Sequence, residues 1–90
     1  MELFKQNYKA VQMRGLISDK TTDQDFYNKL IEEVSEVYNE IPPLGSCVDY
    51  LHEELADVIT VCCNWLIHHG EDPEQWLKLV LDKNQKRAVK

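Results

Sequence analysis

Phe26, Leu30, Val34, Val37 and Ile41 recur at steps of three and four residues. After the interruption PPLGS a second stripe begins, formed by Leu51, Leu55, Val58, Ile59, Cys62, Trp65 and Leu66. This pair of stripes constrains the fold more than any other feature. Steps of three and four line up side chains on one face of an α-helix, whereas a half-buried strand alternates every second residue. The Pro pair supplies the break, because proline lacks an N–H and restricts the residue before it. Two amphipathic helices joined by so short a segment pack as an antiparallel hairpin.

The remaining punctuation yields two more helices. The first is predicted from about Glu2 to Arg14, ending near Gly15, with a modest apolar face of Leu3, Phe4, Tyr8 and Val11, to which Leu16 is a further candidate. The polar loop SDKTTD follows. The second runs from about Gln24 to Ile41, capped by Asp23 or Thr22. The third runs from about Cys47 to His69, with Ser46 as its N-cap and Gly70 at the C′ position. The fourth begins with Asp72 as cap and Pro73 in the first helical position, and it continues to roughly Ala88. Its inward residues are expected to be Trp76, Leu77, Val80 and Leu81. Only three Gly and three Pro occur in 90 residues, too few for the many turns of an all-β chain. The expected fold is therefore all-α: one domain over residues 1–90, a small antiparallel bundle of about four helices. A chain of this length buries only about 60–65% of its unfolded surface. The long apolar faces on such a thin core predict completion by dimerisation.

Charge and cysteine content narrow the function. A net charge of −6 excludes a general binder of nucleic-acid polymers, which needs basic patches. An acidic chain can still hold phosphates through a divalent cation. Three cysteines give no disulfide framework and read as small apolar residues, in keeping with a reducing compartment. The N-terminus mixes charges among its apolar residues, unlike a signal peptide. No apolar run approaches the ~20 residues of a membrane span. A cytoplasmic protein with no membrane partner is expected. His52, His68 and His69 read as surface residues near helix ends, and Trp65 and Trp76 as core, with stacking on a base as their alternative role.

The acids do not stay on the polar side. At roughly 100° per residue, Glu54 points between Val61 and Trp65, and Asp57 lies at the border of the same face. Glu53 falls in the polar sector with Thr60 and Asn64. In the second helix Glu33 lies beside Phe26 and Val37, Glu36 follows one turn on, and Glu32 points away. Each hairpin helix thus carries an acid pair at i, i+3. If the faces pack together, four carboxylates meet in a poorly hydrated pocket, where they repel and raise one another's pKa. Buried charge on that scale needs compensation. A hard divalent cation with oxygen ligands, Mg²⁺ or alternatively Mn²⁺, supplies it. Lys29, one turn before Glu33, reads equally as a substrate ligand and as the i, i+4 ion-pair partner of Glu33.

The pattern resembles the MazG-like all-α nucleoside triphosphate pyrophosphohydrolases. KLIEEVSEV is similar to that family's K-L-x-E-E-x-x-E segment, and EELADVIT to its E-E-L-x-D segment. HHGEDPEQWLKLVLDKNQKR resembles its closing section, an acidic turn followed by a helix ending in Lys, Asn and Arg. The likeness extends from about Lys29 to Arg87. It implies a four-helix core built by paired subunits, a homodimer or homotetramer. It implies Mg²⁺ held by Glu33, Glu36, Glu54 and Asp57. It also implies hydrolysis of a nucleoside triphosphate between its α- and β-phosphates, with Glu33 or Glu36 orienting or deprotonating the attacking water. Asn84, with Lys83, Arg87 and Lys29, would bind the substrate. The chain departs from the family in one respect: Val80, rather than a lysine, stands one turn before Asn84.

Two other readings fit parts of the pattern. A phosphoribosyl-ATP pyrophosphatase would share the chemistry, although DVITVC does not match the D-L-L-Y-H segment of those enzymes. A metal-stabilised helical interaction module without turnover would use the acids but not Lys83, Asn84 and Arg87.

Overall fold

A computed structural model describes residues 2–42 and 48–88. Four helices make up the described chain: α1 (Glu2–Met13), α2 (Asp23–Asn39), α3 (Val48–His68) and α4 (Pro73–Ala88). No strand occurs among the described residues. The all-α expectation and the order of helices are borne out. The expected N-cap of α3, Ser46, lies outside the described residues, as do Cys47 and most of PPLGS.

Local chemistry sets the helix ends. Thr22, rather than Asp23, caps α2. Its hydroxyl accepts from the Asp25 N–H at 3.1 Å, while the Asp25 carboxylate accepts from the Thr22 N–H at 2.9 Å. Such reciprocal boxes satisfy two otherwise orphaned groups. Helices α1 and α3 both stop at a glycine with φ of 79°. At Gly70 the N–H reaches the Ile67 carbonyl at 2.8 Å and the Glu71 N–H reaches Leu66 at 2.9 Å. That is a Schellman closure, and its left-handed residue costs glycine little. The Asp72 carboxylate accepts from the Glu74 N–H at 3.0 Å, so α4 starts as its Asp-Pro sequence requires.

Helices α2 and α3 form the expected antiparallel hairpin, with α1 against the other side of α3. Phe26, near the start of α2, stacks on Trp65, near the end of α3, with ring centroids 5.8 Å apart and planes 9° from parallel. Phe26, Val61, Cys63 and Ile17 are the buried apolar side chains of a thin core. Several expectations need correction. Trp76, Leu77, Val80 and Leu81 do not point inward: each is at least 43% exposed, because α4 packs only lightly against α3. His68 is not a surface residue. Its Nδ1 accepts from the Tyr8 hydroxyl at 3.0 Å and its Nε2–H donates to the Thr21 carbonyl at 2.9 Å, so one ring ties α1, α3 and the α1–α2 loop together.

The radius of gyration is 15.2 Å, against about 12 Å for a compact domain of this length. Of the two hairpin stripes, Val34, Ile41, Leu55, Ile59 and Cys62 are likewise exposed rather than inward, as is Ile31. Among the described residues, no helix is long and apolar enough to cross a membrane.

Candidate metal centre

The antiparallel register brings the two acid pairs together. Oxygens of Glu33, Glu54 and Asp57 all lie within 4.8 Å of one another. Oxygens of Glu32, Glu33 and Glu36 make a second such triad. Glu33 belongs to both. It is only 7% exposed, one of the few buried polar residues of the chain. Its neighbour Glu32 is exposed, as is Glu53 on α3, whereas Glu54 is half-buried. The helical phase separates buried from exposed acids as the sequence indicates, but Glu32 still brings an oxygen to Glu33 and Glu36.

The electrostatics are those of crowded carboxyls. A hydrogen bond with Glu54, then one with Glu33 and the charge of Glu33, push the Glu36 pKa up to about 7. A carboxyl shared among acids holds its proton because two adjacent anions cannot both be solvated. Asp57 is raised too, first by burial and then by the charges of Glu33, Glu54 and Glu53, with Lys29 opposing. Lys29 is the cation at the cluster, its Nζ lying 3.0 Å from Glu33 Oε1 and 3.4 Å from Glu32 Oε1. The hydrogen bond with Glu33 raises the Lys29 pKa.

One lysine does not satisfy the cluster. Glu33 Oε2 and Glu54 Oε2 are buried without a hydrogen-bond partner. Orphaned carboxylate oxygens of this kind are expensive in a protein interior. The donors present, all carboxylate oxygens, suit a hard cation such as Mg²⁺ or Mn²⁺, and they do not suit a soft metal.

Of the other expected site residues, only Lys29 reaches the acids. Lys83, Asn84 and Arg87 are exposed along α4, and their side chains make no hydrogen bond or ion pair among the described residues. Asn84 does not continue a buried stripe, because the stripe itself faces solvent. A cavity of about 470 Å³ lies away from the acids, walled by Trp65, Trp76, Leu30 and Leu66 with Asp23 and His69 at its edge. Its walls are apolar and carry no orphaned group. The acid cluster is where chemistry is unsatisfied.

Sequence reasoning missed Asn64. The α3 period puts it with Glu53 and Thr60 on the polar side, yet it is 3% exposed and its Oδ1 has no partner. Thr60 and His68, one turn to either side of it, meet residues of α1, and nothing in the α3 pattern signals that. Asp23 does not cap α2 but ties it to the end of α3: its carboxylate pairs with His69 Nε2 at 2.6 Å and accepts from Trp65 Nε1–H at 2.8 Å.

Fold and site together define an all-α chain with a partly buried carboxylate cluster on a helical hairpin. No protein-family model matches it, and no curated protein or solved structure does either.

Proposed function

We propose that this chain is a Mg²⁺-dependent nucleotide pyrophosphohydrolase of the MazG-like kind, splitting a nucleoside triphosphate between its α- and β-phosphates into a monophosphate and pyrophosphate. The observation that carries this reading is the orphaned, buried oxygen of Glu33 beside Glu54 and Asp57, placed by an E-x-x-E and an E-x-x-D on consecutive antiparallel helices. Glu33, Glu36, Glu54 and Asp57 would hold the cation. When bound, it would neutralise phosphate oxygens, polarise phosphorus and lower the pKa of a coordinated water. The protein's own groups supply the rest. Glu33 or Glu36, carboxylates at the edge of the cation, would orient or deprotonate the attacking water. Lys29 lies close enough to the acids to meet a phosphate carried there.

The reading includes a second copy of the chain. In one chain the α4 stripe from Trp76 to Leu81 is uncovered, and Lys83, Asn84 and Arg87 stand away from the acids. A homodimer, or a tetramer of such pairs, would cover that stripe and offer α4 residues to a neighbouring site. Cys62 and Cys63 are free thiols, which suits a reducing, cytoplasmic setting.

The same exposed α4 favours one other reading, a metal-stabilised interaction module without turnover. One experiment separates the two. The protein is incubated with Mg²⁺ and a panel of nucleoside triphosphates and phosphoribosyl nucleotides, and products are quantified. Monophosphate and pyrophosphate in equal amounts support the proposed cleavage. Inorganic phosphate with accumulating diphosphate contradicts it, and no turnover on any substrate leaves the interaction module. Cleavage confined to the phosphoribosyl nucleotides would favour the phosphoribosyl-ATP pyrophosphatase alternative.

A further inference from the structure

Glu33 is asked to do two things at once. Its Oε1 faces the Lys29 ammonium at 3.0 Å, its Oε2 is buried and unpartnered, and its carboxylate takes part in both oxygen triads. A carboxylate can accept from several donors. An ammonium and a divalent cation on one carboxylate, however, repel each other across a few ångströms of poorly screened space. The surroundings give only one of the two somewhere else to go. The Glu33 side chain is 9% exposed and fixed in the hairpin, whereas the Lys29 side chain is 49% exposed. Glu32, 58% exposed and 3.4 Å from the same Nζ, waits on the solvent side. A lysine is a compact charge on a flexible stem and can make such a move, where a bidentate arginine would hold its place.

We infer that Lys29 is an exchangeable counter-ion of the acid cluster: it and the divalent cation compete for Glu33, and on losing that contest its ammonium turns outward to the phosphates of the substrate. This rests on the metal-binding reading above and adds to it an order of events. The two interpretations that the sequence leaves open for Lys29, ion-pair partner and substrate ligand, become successive roles of one side chain. Lys29 also opposes the raised pKa of Asp57, so its charge is felt by both acid pairs, and its departure affects the whole cluster.

The test uses the full chain and two probes. Mn²⁺ affinity is measured by titration calorimetry for the wild type, Lys29→Met, Lys29→Arg and Lys78→Met. The last removes the same charge from an exposed position on α4. Lys29→Met is expected to bind Mn²⁺ about threefold more tightly, the scale of a helix-surface ion pair removed as competitor. Lys29→Arg should stay at or below the wild-type affinity, and Lys78→Met should match the wild type. Affinity for α,β-methylene nucleoside triphosphates is then measured on the Mn²⁺-saturated proteins. A loss of about tenfold in Lys29→Met is expected from one charge-assisted phosphate contact. Equal tightening by Lys29→Met and Lys78→Met would reduce the effect to bulk charge and overturn the exchange. So would an unchanged or weaker Mn²⁺ affinity in Lys29→Met. An unchanged analogue affinity would overturn the substrate half. Wild-type protein that binds no Mn²⁺ brings down the metal reading itself, and the inference with it.

Discussion

The α2–α3 hairpin carries acids at two levels, exposed at one and partly buried at the other, and they have opposite fates. Near the start of α2, Asp23 accepts from Trp65 and pairs with His69, and these partners lower its pKa. Three turns further along, Glu33, Glu36, Glu54 and Asp57 have mostly one another, and the pKa values of Glu36 and Asp57 rise. The helices are the same. The difference lies in how far each acid is buried and in what faces it. An acid given donors is settled by the fold, and an acid given acids is left for a ligand to settle. The comparison is therefore a functional map: the Asp23 level holds the hairpin together, and the Glu33 level is available for chemistry.

The largest expected effect tests that division directly. Asp57→Ala should abolish nucleotide turnover while far-UV circular dichroism stays helical, because removing one crowded acid relieves repulsion. Glu36→Ala should behave alike. Asp23→Asn should retain turnover, measured as pyrophosphate released. Loss of turnover in Asp23→Asn with retained helicity would erase the distinction between the two levels.

Metal-dependent stability comes next. Mg²⁺ at 100 times its Kd should add about 2.7 kcal/mol per site, or about 10–20 °C in melting temperature for a domain of this size. Glu54→Gln should lose most of that response, and Glu53→Gln should keep it. Equal responses from the two variants in a thermal melt would mean that the half-buried and exposed acids of α3 are not distinguished by function.

How much of this was legible in the chain follows from what each signal depends on. The i, i+3 spacing of Glu54 and Asp57 and the phase separating Glu53 from Glu54 are properties of one helix, so period alone places them. Gly70 and Asp72-Pro73 announce helix ends through backbone chemistry that is equally local. The burial of Asn64 goes with neighbours, Thr60 and His68, that meet α1 from a distant part of the sequence. The partners of His68 itself are Tyr8 and Thr21. The α4 stripe shows the converse. Trp76, Leu77, Val80 and Leu81 have helical spacing, but a stripe says only that a face is apolar, not that this chain covers it.

A smaller effect concerns pH in the absence of divalent metal, and the two levels should respond with opposite sign. Glu36 has an ordinary pKa of 4.5 and a folded value of about 7. The folded state therefore binds its proton more tightly than the unfolded chain. That contribution is fully present below about 4.5 and is lost as pH rises through 7. Asp57, also raised, acts in the same direction from its own lower starting point. Asp23 is lowered, so its contribution is present above its ordinary 3.8 and is lost as pH falls through the folded value. With EDTA present, melting temperature should decline from mildly acidic to neutral pH, and Glu36→Gln should flatten the decline. Saturating Mg²⁺ should reverse the slope, since metal and protons compete for the same oxygens. A decline that persists unchanged in Glu36→Gln would place its origin elsewhere.

The smallest expected effect is at Asp23 itself. Asp23→Asn keeps an oxygen that can accept from the Trp65 indole, but it removes the charge facing His69. The stack of Phe26 on Trp65 and the Thr22 cap remain, so the melting temperature should fall only slightly. The Mg²⁺ response should be that of the wild type, because nothing at the Glu33 level depends on this pair. Trp65→Phe offers the complementary change: it keeps an aromatic ring against Phe26 and leaves Asp23 one donor short. Its loss should be larger than that of Asp23→Asn, with the Mg²⁺ response again intact. If either variant changes Mg²⁺ affinity by more than its own small destabilisation, the two levels are linked through the hairpin. Asp23 would then be a positioning residue for the metal centre rather than an independent tie.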